Sequence, residues 1–229
     1  MKIVAVLPVY NEENTIGDIV RIVKKYVDLV VVVDNNSTDR TVWEAQKAEA
    51  KVYTEKIQGQ GAATRLGWNS IRWGNYYDIL VTLDADGQHN PEEIPRLLNT
   101  VKSPFRHSPD IVIGSRFLLP AKAPCYRKFG IDVITWLYNV GHKQKIVDSQ
   151  SCFRAYRRKV LEIINIEENG FGLSTEVLIK ARKLGFKIIE VPISCIYHKD
   201  RRMNSTLNPV RHGLEVAWKT IWWRLKLWN

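Results

Sequence analysis

Ile79-Leu80-Val81-Thr82-Leu83-Asp84-Ala85-Asp86-Gly87-Gln88-His89 is an apolar run that stops at two carboxylates one residue apart. The aliphatic residues read as a buried strand, and the polar, glycine-bearing residues after them as the loop at its C-terminal end. Side chains alternate along an extended chain, so Asp84 and Asp86 point to the same side while Ala85 keeps the turn uncrowded. Two converging carboxylates repel unless a cation sits between them, and hard oxygen donors suit Mg2+ or Mn2+, which complete their shells with water and a substrate diphosphate. A solvated loop with two unrelated acids fits the same letters, since short motifs are often accidental. The position at a strand end favours the metal.

On either side the same rhythm recurs. Ile3 to Leu7 reads as a strand followed by Pro8-Val9-Tyr10-Asn11-Glu12-Glu13, with Asn11 placed to cap a helix whose apolar face is Ile16, Ile19, Val20, Val23 and Val27. Leu29 to Val33 is a second aliphatic strand, broken by Asp34-Asn35-Asn36-Ser37-Thr38-Asp39, after which Ser37 or Thr38 caps a helix to about Ala50. A third strand near Val52 leads into Gln58-Gly59-Gln60-Gly61-Ala62-Ala63 and a helix to about Trp73. The amides at that helix start fit either a phosphate cradle or a plain tight turn. Repeated strand, polar loop and helix indicates an α/β fold with a mostly parallel sheet flanked by helices, whose ligands sit beyond the carboxyl ends of the strands.

Past the acidic motif, Asn90 caps and Pro91 opens a helix with Ile94, Leu97, Leu98 and Val101 inward. Asp110 to Ile113 is a strand ending in Gly114-Ser115-Arg116, and Pro120 to Lys128 is a basic, proline-bearing loop that fits either a cover over an anionic site or a solvated turn. Residues 129–140 and 174–184 read as helices, Asp148 to Tyr156 as a loop feeding a strand, and Lys187 to Val191 as the last strand.

Composition sets the frame. The chain has 229 residues, 45% hydrophobic and 25% charged, enough for one well-packed domain and against global disorder. Its net charge of +10 points to an anionic partner: nucleic acid, an acidic membrane surface or a phosphorylated substrate. Three widely spaced cysteines, Cys125, Cys152 and Cys195, favour a reducing compartment and buried thiols. No apolar run approaches the roughly 20 residues that span a bilayer, and the chain opens on a strand rather than a signal peptide.

The last stretch differs. Leu214, Ala217, Trp218, Ile221, Trp222 and Leu225 recur at helical spacing among Lys219, Arg224 and Lys226, with Trp223, Leu227 and Trp228 broadening the apolar side. An aromatic, basic, amphipathic helix fits the membrane interface. A helix docked on the domain's own core, or on a partner, fits the same pattern. The organisation expected is a domain over residues 1–207 with a C-terminal amphipathic, Trp-rich helix over 208–229.

Taken jointly, Pro8 to Glu13, Val32 to Asp39, Asp84-Ala85-Asp86-Gly87-Gln88-His89 and Gly114-Ser115-Arg116 resemble the family 2 glycosyltransferases of the GT-A fold. The nearer likeness is to dolichyl-phosphate and polyprenyl-phosphate mannose synthases, and it continues through Ser151-Cys152-Phe153-Arg154 and Leu207-Asn208-Pro209. That resemblance implies a nucleotide pocket from Pro8, Tyr10, Glu12 and Asp34, and a divalent metal, Mg2+ or Mn2+, on the donor diphosphate at Asp84, Ala85 and Asp86 with Gln88. It implies Arg116 at the phosphates or the acceptor, and Arg127, Arg201, Arg202 and Ser205 on the acceptor side. The reaction implied is inverting transfer of a sugar, mannose from GDP-mannose first, onto dolichyl or polyprenyl phosphate, with Asp86, Arg116 and Arg127 as the catalytic set. The setting implied is the cytoplasmic face of a membrane, in peripheral contact through residues 210–229, with no nucleic acid bound.

Five positions depart from the pattern. Asn35 stands where Asp is usual, Gln60 where Lys is common, Cys152 where Gly is common, and Met203 and Thr206 replace the Gly and Lys of Gly-x-Ser-Lys. An acceptor phosphate is already anionic and demands no general base, whereas a sugar hydroxyl would require one. The alternatives are transfer from UDP-glucose or a UDP-N-acetylhexosamine, to polyprenyl phosphate or to a glycan hydroxyl, and a non-catalytic basic module binding nucleic acid or membrane. The last would show salt-sensitive RNA binding.

Overall fold

The computed structural model describes residues 1–72, 77–103, 108–119, 125–196 and 209–228. Seven strands, β1 (Ile3–Val9), β2 (Leu29–Asp34), β3 (Lys51–Thr54), β4 (Ile79–Thr82), β5 (Ile111–Ser115), β6 (Arg154–Arg157) and β7 (Ile188–Pro192), form one sheet in the order β3-β2-β1-β4-β6-β5-β7. All neighbours run parallel except β6, which is antiparallel to both β4 and β5. The expected α/β fold with a mostly parallel sheet is therefore what the chain adopts.

The continuous aliphatic runs are explained by burial on both faces of the sheet. In β1, Ile3, Ala5, Leu7 and Val9 enter one core cluster while Val4 and Val6 enter the other. In β2, Val30 and Val32 divide from Val31 and Val33 in the same way. Helices α1 (Ile16–Val23), α2 (Thr41–Lys47) and α4 (Ile94–Val101) cover the first face, and α3 (Gln60–Arg72), α6 (Arg158–Ile163) and α7 (Leu173–Lys183) the second. The expected inward residues Ile16, Ile19, Val20 and Val23 are buried in α1, as are Ile94, Leu97, Leu98 and Val101 in α4.

Some local expectations are corrected. Asn11 does not cap α1: it adopts a left-handed backbone with φ 54° and its side chain accepts from the Thr38 amide at 2.8 Å. Neither Ser37 nor Thr38 caps α2; Asp39 accepts from the Thr41 amide at 2.9 Å. The basic loop ends earlier than expected, because helix α5 (Cys125–Asn139) already begins at Cys125. Asn90 does accept from the Glu92 amide, at 3.1 Å, opening a 3-10 turn over Pro91–Glu93 that leads into α4.

The C-terminal helix α8 (Pro209–Trp228) packs against α5 and α7. Trp223 is 1% exposed and belongs to the second core cluster, with its indole Nε1 donating to Glu168 Oε1 at 2.8 Å. Buried Thr220 reaches Thr175 at 3.0 Å, and Arg224 donates to the carbonyls of Leu137 and Val140 near the end of α5. One face of the helix is thus docked on the chain's own core. No helix among the described residues is long and apolar enough to cross a membrane.

Candidate active site

The acidic turn leaves the sheet at its centre, where β4 lies between β1 and β6. Gly87 at φ 75° takes the turn through the left-handed region, where a Cβ would be strained. The Gln88 amide donates to Asp86 Oδ1 at 2.9 Å, and Thr15 Oγ donates to the Ala85 carbonyl at 2.8 Å. Gln88 and His89 are then tied to the chain after β7, through Ile196 N to Gln88 O and a bridge between His89 and Cys195.

The electrostatics of the turn are those of a site that attracts positive charge. Burial, and then the neighbouring Asp86, push the Asp84 carboxyl up to about 7, although the nearby Arg116 pulls the other way. The Asp84 side chain keeps 29% exposure, so it is accessible from outside. Its Oδ1 accepts from Gln60 Nε2 at 2.7 Å, and Gln60 Nε2 also faces Cys152 Sγ at 3.2 Å. Burial and the Asp84 charge push the Cys152 thiol up to about 12, so it stays a neutral thiol. His89 is buried, with Nδ1 unpartnered 4.0 Å from Asp84 Oδ2, and burial together with Arg116 lowers its imidazole to about 3. Two hard carboxylates whose proximity disfavours double ionisation, both part-exposed, fit a small divalent cation. The described residues contain no cluster of three or more His, Cys, Asp or Glu side chains that could enclose one, so water and a substrate diphosphate would have to complete the shell.

Arg116, at the end of β5, is held by Asp148. Arg116 Nε donates to Asp148 Oδ2 at 2.7 Å, Nη2 donates to Oδ1 at 2.8 Å, and the Arg116 amide adds a third bond at 3.1 Å. Asp148 is fully buried; burial alone would raise its carboxyl, but the Arg116 guanidinium outweighs this and holds it below the usual carboxylate range. The fork geometry fixes the guanidinium plane, which a lysine could not do. Beneath, Arg154 is 1% exposed and donates to the carbonyls of Ser151, Ser174 and Ser149.

On the other flank, the loops after β1 and β2 are stitched together. Ser37 Oγ accepts from the Asn11 amide at 2.9 Å, Thr41 Oγ from the Glu12 amide at 2.7 Å, and Asp39 from the Glu13 amide at 3.2 Å. Pro8 is half-buried in β1, Tyr10 is exposed just beyond it, and the Thr15 hydroxyl lies 2.9 Å from Glu12 Oε2 as well as 2.8 Å from the Ala85 carbonyl, so it is shared between this flank and the acidic turn. Asp34 is buried and both its oxygens accept from the Ser37 amide at 3.2 Å.

Asn35, the first departure from the family pattern, has a structural use. Its Nδ2 donates to the Glu55 and Ile57 carbonyls at 3.1 and 2.7 Å, while its Oδ1 accepts from the Gly59 amide at 2.7 Å. An aspartate can accept but cannot donate. The Gly59-Gln60-Gly61 turn packs against residues 168–170: a Cβ on either glycine would collide with the Asn169 or Glu168 carbonyl, and the Ala62 amide is spent on Asn169 O at 3.0 Å. The tight-turn reading is the one the geometry favours there.

The predicted residues brought together are Asp84, Ala85, Asp86, Gln88 and Arg116, with Glu12 tied to them through Thr15. Arg127 is half-buried in α5, next to Lys128, whose Nζ lies 5.3 Å from the Phe117 ring. Arg201, Arg202 and Ser205, with Met203 and Thr206, lie outside the described residues. Sequence reasoning missed the Gln60–Cys152 contact, for which the one available signal was that both positions depart from the family pattern.

Comparison with known proteins places this architecture. Residues 4–164 match the sequence family described as Glycosyl transferase family 2. The undecaprenyl-phosphate mannosyltransferase of Micrococcus luteus is 30% identical over 255 residues, covering 99% of this chain and all of that protein. The UDP-N-acetylglucosamine–dolichyl-phosphate N-acetylglucosaminyltransferase of Methanococcus voltae is 29% identical over 84% of each chain. Among solved structures, glucosyl-3-phosphoglycerate synthase from Mycobacterium tuberculosis, bound to Mn2+, UDP and phosphoglyceric acid, superposes with a TM-score of 0.75 at 21% identity, over 99% of this chain and 78% of that one. The chain belongs to glycosyltransferase family 2 and has the GT-A fold expected of it.

Proposed function

We propose that this glycosyltransferase moves a hexose, mannose from GDP-mannose in the first instance, onto dolichyl or polyprenyl phosphate with inversion at the anomeric carbon. The observation that carries the acceptor is the state of Asp148: it is fully buried with both oxygens spent on Arg116, so this acid beside Arg116 is not free to act as a base. His89, held neutral by burial with its imidazole at about 3, is also a poor base. An anionic phosphate needs no proton removed, and a cationic Arg116 is what its charge requires.

In this reading Pro8, Tyr10, Glu12 and Asp34 hold the nucleotide, and Asp84 and Asp86, with Gln88, hold Mg2+ or Mn2+ against the diphosphate. A divalent cation there supplies charge neutralisation for the departing diphosphate. Arg116, locked in orientation by Asp148, faces the phosphates, and Arg127, with Arg201, Arg202 and Ser205, serves the acceptor side. Peripheral contact with the cytoplasmic face of a membrane through residues 210–229 completes it. A UDP-sugar donor is the second reading, favoured by the near-equal likeness to the M. voltae enzyme.

The test is a donor screen. GDP-mannose, UDP-glucose and UDP-N-acetylglucosamine are each incubated with a polyprenyl phosphate and Mn2+, and lipid extracts are analysed for product. GDP-mannose is expected to give a mannosyl lipid; product only from a UDP-sugar moves the assignment to the second reading, and product from none refutes both.

A further inference from the structure

A neutral side chain holds Asp84. Gln60 Nε2 donates to Asp84 Oδ1 at 2.7 Å and faces Cys152 Sγ at 3.2 Å, while Gln60 Oε1 is buried without a partner among the described residues. The opposite orientation of the amide would set Oε1 against the carboxylate, two acceptors face to face. Leaving a buried acceptor unpaired is costly, so the bond to Asp84 is the one this side chain is placed to make.

The backbone holds Gln60 in that place. On one side, Asn35 Oδ1 accepts from the Gly59 amide at 2.7 Å. On the other, the Ala62 amide donates to the Asn169 carbonyl at 3.0 Å, and Thr64 Oγ donates to the Gln60 carbonyl at 2.7 Å. The two flanking glycines lie too close to the Glu168 and Asn169 carbonyls to carry a Cβ. That stretch is itself anchored, since the buried Glu176 carboxylate accepts from the Glu167 and Glu168 amides at 2.7 and 3.0 Å. The turn is therefore fixed between two loops, and Gln60 is the side chain it presents to the acidic motif.

Charge gives the placement its consequence. An amide orients a carboxylate without cancelling its charge, whereas a lysine at the same place would form an ion pair with it. Lysine is common here in the family pattern, so the neutral donor distinguishes this chain. Arg116, the cation that reaches Asp84 from across the site, is forked onto Asp148. We propose that Gln60 is a positioning residue that aims Asp84 while leaving its charge uncancelled, and so makes binding of the donor diphosphate depend on a divalent cation. The inference rests on the metal reading above and adds to it a residue outside the acidic motif. A fixed cation at position 60 would take over part of the neutralisation and relax the dependence on metal.

The experiment is calorimetric titration of GDP, and of UDP, into the full chain in Mn2+ and in EDTA, without acceptor. The readout is the ratio of the two dissociation constants. The parent is compared with Gln60→Lys, with Gln60→Met, which keeps the length but has no N–H to donate, and with Asp86→Ala, each checked for fold by circular dichroism. In the parent, Mn2+ is expected to tighten binding of whichever nucleotide the chain takes, and Asp86→Ala to lose that gain. Gln60→Lys should bind the nucleotide more tightly than the parent in EDTA and lower the Mn2+ ratio by about tenfold, the effect of one unit charge a few ångströms away. A damaged fold would not tighten binding. Gln60→Met should leave the EDTA affinity unchanged and weaken binding in Mn2+ by about threefold, through the lost hydrogen bond. A parent-like ratio in either Gln60 variant, beside a Mn2+ effect that Asp86→Ala removes, overturns the proposal and leaves the metal reading standing. No Mn2+ effect in the parent, or one that survives in Asp86→Ala, overturns the metal reading and the proposal with it.

Discussion

Replacing Asp148 by Asn tests the pair that orients Arg116. The carboxylate is fully buried and takes three bonds from Arg116, two from the guanidinium at 2.7 and 2.8 Å and one from the amide at 3.1 Å. An asparagine keeps the shape but turns an NH2 group toward one guanidinium nitrogen, leaving the Arg116 charge without its counter-ion. Removing one partner of a buried pair costs about 3–5 kcal/mol; the nearby carboxylates Asp84 and Asp86 offset part of this, so about 3 kcal/mol is expected. For a chain of this size that is a fall in Tm of about 6–12 °C. Because the Asp148 carboxyl is held below its usual range, its stabilisation is full above the unfolded carboxyl pKa and is lost as pH falls through the folded value. Urea unfolding of both proteins should therefore show the gap at pH 7 and a narrowing gap toward pH 3. Equal stability at pH 7, or a gap that widens in acid, would refute the reasoning. Activity of the variant should fall with KM for the acceptor rising, since Arg116 loses its orientation.

Three further outcomes follow from single contacts. Asn35→Asp keeps the bond from the Gly59 amide but leaves the Glu55 and Ile57 carbonyls facing a carboxylate; unfolding in urea should show a loss of about 2 kcal/mol. Trp223→Ala opens a cavity between α8 and the core and strips Glu168 of its indole partner, so thermal denaturation should register about 3–5 kcal/mol, whereas Trp222→Ala on the exposed side should cost well under 1 kcal/mol. Gly61→Ala puts a methyl group into the Glu168 carbonyl and should lower Tm by several degrees, while Gly185→Ala, with nothing within 4 Å but φ at 76°, should cost about 1 kcal/mol through backbone strain alone.

What could be read from the sequence was whatever a single strand or helix determines by itself. The aliphatic runs of β1, β2 and β4 announced strands buried on both faces, and the polar breaks after them marked the end of the sheet where ligands sit. The antiparallel insertion of β6 between β4 and β5 could not be read, because strand order is set by long-range packing rather than by any local pattern. Charged Arg154 at the start of that strand is accommodated by three carbonyls, two from the loop before it and one from the start of α7, which no spacing reveals. The C-terminal helix shows the limit most plainly. Its six regularly spaced apolar residues fitted either a membrane-facing side or a side docked on the core; in α8 the side carrying Trp218, Trp222 and Leu225 is exposed, and Val216, Thr220 and Trp223 are inside. When both sides of a helix are aromatic, periodicity finds the helix and not its orientation. Asn35 and Gln60 looked like losses against the family pattern; one is a three-way clamp between loops and the other a link between Asp84 and Cys152.

The central claim is that an anionic acceptor replaces the general base. It is tested most directly by offering one donor, in Mn2+, to a polyprenyl phosphate and to the free polyprenol of the same length, and measuring lipid-linked sugar from each. Product from the phosphate alone, lost on Asp86→Ala and on chelation, is the expected result. Comparable product from the alcohol would contradict it and require a base that Asp148, locked to Arg116, does not provide.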